Sequence, residues 1–322
     1  MKTSRAFLFF AVTILSAISA CASTTLFPVV VDNRWGFMDK SGKLVINEQF
    51  ERANDFAGGL AAVRLGKNWG YANTSGKITV NPQFDRADAF SEGMALVQLG
   101  HLFGYISMDG KYAVNPQFDD AGLFSQGHAA VKSARKWGFI DKSGKLVINP
   151  QFDDAAGFSE GLAAVELGHV YGYIDNSGKI VINQQFDKAN SFSEDLAGIK
   201  MNHKWGFIDK SGKIVINPQF DDVGAFVNGL APASSDKKWG YIDTTGHFAV
   251  NPQFEDAGAF SEGLARVQLA KRWGFVDKTG VFAINPQFDK AMSFTNGLAR
   301  VEVGNKTGYV DTNGKYVWNP VK

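Results

Sequence analysis

An aromatic residue followed by glycine returns every 34 residues along this chain: Trp35-Gly36, Trp69-Gly70, Phe103-Gly104, Trp137-Gly138, Tyr171-Gly172, Trp205-Gly206, Trp239-Gly240 and Trp273-Gly274, with Gly308 following Thr307 in a ninth copy. No insertion or deletion disturbs the period. Length alone, 322 residues, would suggest two ordinary domains. A fixed period overrides that prior. Units this short cannot each bury a core, so they must stack and share one.

Within a unit, Leu60–Leu65, Trp69–Tyr71 and Lys77–Phe84 are rich in β-branched and aromatic residues, and turn residues bound each segment. They read as three strands of an antiparallel meander. Pro82 fits a strand exit better than a strand centre. Between the second and third segments stands a glycine in every unit, from Gly42 and Gly76 to Gly314. A residue of positive φ closing a short hairpin accounts for it. The Asp, Asn or Ser that precedes it (Asp39, Asn73, Ser107, Asp141) suits an Asx or Ser turn. Each such loop offers one carboxylate where calcium wants several, so a calcium site is not expected.

The connection from the third segment to the next unit, as in Phe118–Gly127, reads as a loop with two phenylalanines. Its pairs, from Phe50/Phe56 to Phe288/Phe294, are expected to fill the space between stacked units. Asn47, Asn81, Asn115, Asn149, Asn183, Asn217, Asn251, Asn285 and Asn319 recur as well. They are expected to satisfy loop backbone groups, with a row of amides for a ligand as the alternative.

Composition excludes little but excludes it firmly. Lys and Arg number 33 against 32 Asp and Glu, without the basic excess of a nucleic-acid binder. Glycine reaches 35 and proline only 9, which suits many short strands joined by turns and not a disordered chain.

The first residues differ from the rest. Lys2 and Arg5 precede an apolar run from Ala6 to Ile18, too short to span a membrane and typical of a signal peptide. Ile18-Ser19-Ala20-Cys21 then resembles the lipobox of bacterial lipoproteins. That resemblance implies removal of residues 1–20 and lipidation of Cys21, the chain's single cysteine. Several acyl chains would anchor it stably. Residues 21–25 would be a tether reaching about 15 Å. Ala22, in place of the Asp that holds many lipoproteins at the inner membrane, favours the outer membrane of the cell envelope.

The full unit, W-G-[FY]-[IV]-D-x-[ST]-G-K-x-x-[IV]-N-P-Q-F-[DE]-x-A-x-x-F-x-x-G-L-A-x-V, resembles the WG (KWG) β-repeats of bacterial proteins over residues 26–322. The resemblance implies a structural or interaction module without shared catalytic residues. Phe103, Tyr171 and Thr307 depart from Trp, Asp195 from Gly, and Pro232 stands in a first strand. The expected fold is all-β: one array of nine three-stranded antiparallel meanders of 34 residues. Residues 26–31 match a first strand and the chain stops after a third, leaving no split unit to close a ring. An open, curved β-superhelix is therefore favoured over a closed β-propeller.

No catalytic motif interrupts the repeat, no cofactor is implied, and no metal site is expected. A His169–His203 pair lacks a third ligand. One repeat position, two before the aromatic-glycine pair, is basic: Lys67, His101, Arg135, His169, His203, Lys237 and Lys271. This candidate binding edge could meet an anionic partner, or could simply be solvated charge that deters edge pairing. Acidic pairs such as Asp119-Asp120, Asp153-Asp154, Asp221-Asp222 and Glu255-Asp256 read as lying on the opposite loops. The expectation is a non-enzymatic envelope lipoprotein, tied to the membrane by its anchor and acting as a scaffold for another protein. A glycan- or cell-wall-binding module and a structural spacer are the alternatives.

Overall fold

The structure, a computed structural model, describes residues 25–320. The expected signal peptide, Cys21 and all of the tether but Thr25 lie outside the described residues. Nine antiparallel sheets follow one another, eight of four strands and the first of three. Among the described residues no helix is long and apolar enough to cross a membrane.

In the fourth sheet the strands are Asp120–Ala121, His128–Ser133, Lys136–Asp141 and Leu146–Phe152, paired in that order. The last three are the meander expected from sequence. The first, here called the lead strand, corrects that expectation: the supposed loop Phe118–Gly127 is the fourth strand of a blade. It escapes sequence patterning because only Asp120 and Ala121 pair continuously, followed by a single bridge from Ser125 to His128. Two or three paired residues leave no alternation to read.

A single residue carries the chain from one blade to the next. Phe84 pairs with Trp69 at the end of the second blade, while Arg86 already pairs with Gln98 of the third. Neighbouring blades therefore have no slack between them. The second strand of each blade lies sandwiched between neighbours, so Leu60, Ala61, Ala62 and Val63 are all buried, as in a sheet covered on both faces. The last strand alternates buried and exposed residues, with only one side covered.

The glycine of the aromatic-glycine pair has a specific cause. Trp137 pairs with Phe152 and Phe139 with Ile148, so the last strand bulges opposite Gly138. A Cβ there would stand 2.5 Å from Ile148 O and 2.6 Å from Pro150 N. Backbone occupies that space, and no side chain can share it. The expected role of the phenylalanines also holds. Phe158 tilts against Phe139 of the preceding blade at 4.8 Å, and Phe192 against Tyr173 at 4.9 Å. Tyr173 O–H then donates to Asn190 O (2.8 Å) in the next lead strand. Burial pushes the phenols of Tyr71, Tyr105, Tyr173 and Tyr241 far above their usual range.

The favoured open superhelix is overturned: the array closes, and the molecule is a ring of nine blades. Tyr309 O–H in the ninth blade donates to Pro28 O in the first (2.8 Å). Phe27 meets the Tyr309 ring edge-on at 5.7 Å. Val29, Met38, Leu298 and Tyr309 share one core. The split-unit argument failed because closure needs no split unit here. Among the described residues the first blade has no lead strand, and its Phe27 supplies bulk where the other eight blades have alanine (Ala61, Ala95, Ala129 and onward to Ala299). Pro28 has no N–H to leave unpaired. Its carbonyl is the equivalent of Ala130 O, which in the fourth blade accepts from Gly122 N of the lead strand. Tyr309 takes that acceptor instead.

Candidate interaction surface

The basic column occupies the tips of the two-residue hairpins between the second and third strands. In blades four to eight both tip residues have positive φ, with Arg135 at 68°, His169 at 71°, His203 at 68°, Lys237 at 62° and Lys271 at 61°. Such turns match strand twist but favour Asn or Gly; other side chains cost about 1 kcal/mol or more per residue there. In blades two and three Gly66 and Gly100 take the first position, and Lys67 and His101 follow. All seven basic residues are exposed. The same position holds Asn33 in the first blade and Asn305 in the ninth, so the charges form an arc of seven blades interrupted at the seam. Among the described residues their side chains find no ion-pair partner except for His169, 4.0 Å from Glu166.

The acidic residues are placed differently from the sequence expectation. The first of each pair lies at the same rim as the basic tips, not on the opposite one. Lys136 Nζ donates to Asp153 Oδ1 (2.5 Å), while Gly168 N of the next blade's tip donates to Asp153 Oδ2 (2.9 Å). Asp221 joins Lys204 to the Lys237 backbone N–H in the same way, and Glu255 accepts from Lys271 N (2.8 Å). Each carboxylate thus staples one hairpin to its neighbour. Hydrogen bonds from Lys136 and Lys204 hold Asp153 and Asp221 below the usual carboxylate range. The one-residue connection between blades brings these acids here, since each stands directly after a last strand.

The hairpin aspartates are Asx-turn residues, as expected. Asp141 Oδ1 accepts from Ser143 N, Ser143 Oγ and Lys145 N. Those bonds, with Ser143 Oγ foremost, lower its pKa. Among the described residues no three His, Cys, Asp or Glu side chains gather as a metal site would require. The nine asparagines do not act as expected. All are exposed, and among the described residues none of their side chains forms a hydrogen bond. The bulge turns them outward, because its backbone packs on the glycine instead. The tryptophans are half-buried, and in several blades the cross-strand cation lies over the ring, as Lys132 does over Trp137 at 5.7 Å, while in the eighth blade Arg266 covers Trp273 from two residues away at 4.9 Å.

Sequence reasoning missed one feature altogether, a cavity of about 340 Å³ at the closing seam. Phe27, Phe56, Met292, Leu298 and Tyr309 line it, with Arg300 and Asp55 as its charged groups. Phe27, alone in a column of alanines, is the signal that could have found it.

Nine blades around a closed ring define a β-propeller. Repeats of the WG containing repeat family match at residues 35–69, 69–100, 103–136, 137–168, 171–205, 205–239, 239–272 and 273–306. The chain belongs to this WG-repeat family. No curated protein matches it. Among solved structures, one described as a eukaryotic initiation factor is similar with a TM-score of 0.66 and 11% identity, over 91% of this chain and 95% of that one. Hsv2p of Kluyveromyces lactis gives 0.44 and 10% identity over 67% of this chain and 88% of that one. PorZ of Porphyromonas gingivalis, a surface component of the type-IX secretion system, gives 0.36 and 10% over 92% of this chain and 51% of that one. At such identities the first likeness concerns the fold alone.

Proposed function

We propose that this propeller is a non-enzymatic scaffold of the bacterial cell envelope that presents its hairpin rim to a protein partner of acidic character. The observation that carries this reading is the arc of seven exposed basic or imidazole side chains at the hairpin tips. In blades four to eight these side chains sit where glycine or asparagine would cost least. A rigid ring repeats them once per blade, which is how a repeat array builds an extended binding surface. The acids that could neutralise them are engaged by strand lysines and turn N–H groups. Tethering rests on the lipobox-like residues before Cys21, and Ala22 favours the outer membrane. A glycan platform is less well supported, because cations already cover several tryptophan faces.

Cross-linking in the envelope followed by affinity capture tests the scaffold. A partner should be recovered with the intact chain and depleted with a variant carrying Arg135→Ala, His169→Ala, His203→Ala and Lys237→Ala. Equal recovery with both would count against the rim. A fatty-acid analogue incorporated by the intact chain but not by Cys21→Ser tests the anchor.

A further inference from the structure

We propose that the cavity at the closing seam is a docking site for an extended peptide segment bearing an aromatic side chain, supplied by a partner protein. This deepens the scaffold reading and rests on it for the partner's being a protein. The molecule itself shows what fits this place. In the eight other blades the equivalent space holds a lead strand from the chain, with alanine (Val223 in the seventh blade) followed three positions later by phenylalanine, as in Ala87/Phe90, Ala121/Phe124 and Ala257/Phe260. Those phenylalanines pack on the aromatic residue of the preceding blade, Phe260 on Tyr241 at 4.7 Å. In the first blade the described residues supply no lead strand. Phe27 covers part of Tyr309, and the cavity beside it remains between the turns of the ninth and second blades.

A cation marks the missing backbone. Arg266 in the eighth blade reaches across and donates from Nη1 to Ala291 O (2.9 Å), a carbonyl of the next lead strand. Arg300 holds the same repeat position in the ninth blade and lines the cavity. Among the described residues it has no carbonyl or carboxylate partner. The next lead strand, to which it would donate, is the one that the described residues of the first blade do not supply. An incoming peptide would give Arg300 its carbonyl and place an aromatic ring among Phe27, Phe56, Leu298 and Tyr309. A proline at this position does not bar a lead strand, since Pro232 in the seventh blade accepts from Gly224 N (2.8 Å); side-chain insertion and the Arg300 contact would supply the specificity. The cavity has an apolar part, formed by Phe27, Phe56, Leu298 and Tyr309, beside polar groups such as Thr295, Asn296 and Arg300, which suits one inserted side chain with its backbone on the polar side.

The test uses the full-length chain and a labelled synthetic peptide copying residues 256–263, a lead strand of this protein, followed by fluorescence anisotropy. Saturable binding is expected, lost when alanine replaces the peptide's phenylalanine. Arg300→Ala and Arg300→Gln should weaken it by about tenfold or more, as loss of a central charged anchor does. Met292→Trp, a change at an exposed lining residue, should block the cavity while leaving the circular dichroism unchanged. Lys271→Ala, on the rim, should leave peptide binding intact. No binding would overturn the proposal, as would binding that survives both Met292→Trp and Arg300→Ala. Binding that emerges only after removal of residues 1–24 would also overturn it, by giving the site to the chain's own leading segment. Capture that depends on the rim charges would stand in any of these cases, so the two readings fail separately.

Discussion

The eight interior seams and the closing seam join the same kinds of blade by different means. At an interior seam a single residue links the blades, the lead strand adds backbone hydrogen bonds, and its phenylalanine locks onto the aromatic of the previous blade. Serine hydroxyls reinforce this, as where Ser159 Oγ donates to Phe192 O (2.7 Å). The closing seam has no covalent link and, among the described residues, no lead strand. It relies on Phe27, the Tyr309–Pro28 bond and the packing of Gly42 against Val317. Among the described residues the ring therefore closes without a lead strand, where eight seams already fix its curvature. The closing seam is the place where space remains, and it is expected to be the least stable.

The largest expected effect sharpens this contrast. Phe158→Ala, at an interior seam, should cost about 3–5 kcal/mol in chemical denaturation. Phe27→Ala should cost only about 1–2 kcal/mol, because a cavity already borders Phe27 and alanine is the native residue there in eight blades. Equal losses would break the comparison. Gly138→Ala comes next, at about 2–3 kcal/mol, since its Cβ would meet backbone that is itself bonded into the blade.

Hydroxyl removal should be milder. Tyr173→Phe and Tyr309→Phe each delete one bond, worth about 1 kcal/mol. Hydrogen exchange should separate them: Tyr309→Phe ought to loosen the first and ninth blades together, and Tyr173→Phe its own seam. The smallest effect belongs to the rim staples. Lys136→Ala should cost less than about 1 kcal/mol, as exposed pairs do. The stapling carboxylates, with the Asx-turn carboxylate Asp141, set the response to acid. Asp141, Asp153 and Asp221 titrate below their ordinary value in the folded ring. Their contribution is therefore present above the ordinary carboxylate pKa and lost as pH falls through the depressed native values. Hairpin-tip amide exchange should rise over that acid window and stay flat near neutrality.

Much of this was legible in the sequence. The period fixes the units, and three strands per blade follow from segments such as Leu60–Leu65, whose apolar residues and bounding turns are local. The hairpin glycines and Asx aspartates carry their geometry in their chemistry. The lead strand does not, because Asp120–Ala121 pairs over two residues through contacts made possible by neighbours. Closure was hidden for a related reason: it depends on Phe27 meeting Tyr309, residues far apart in the chain. The asparagines misled because a bulge, and not a loop, sets their direction. The spacing of the basic column is legible because it repeats at one position, and the structure puts that position at exposed hairpin tips; its acidic neighbours share that rim, contrary to the sequence expectation, since only the one-residue link between blades brings them together.

Ring closure is the central claim, and a distance between spin labels tests it most directly. Labels at Asn33 and Asn305 sit on equivalent hairpin tips of the first and ninth blades, and labels at His203 and Lys237 on those of two adjacent interior blades. Electron–electron resonance should give both pairs the same distance, that of neighbouring blades. An Asn33–Asn305 distance several blades longer than the interior pair would mean an open array, and would contradict the account.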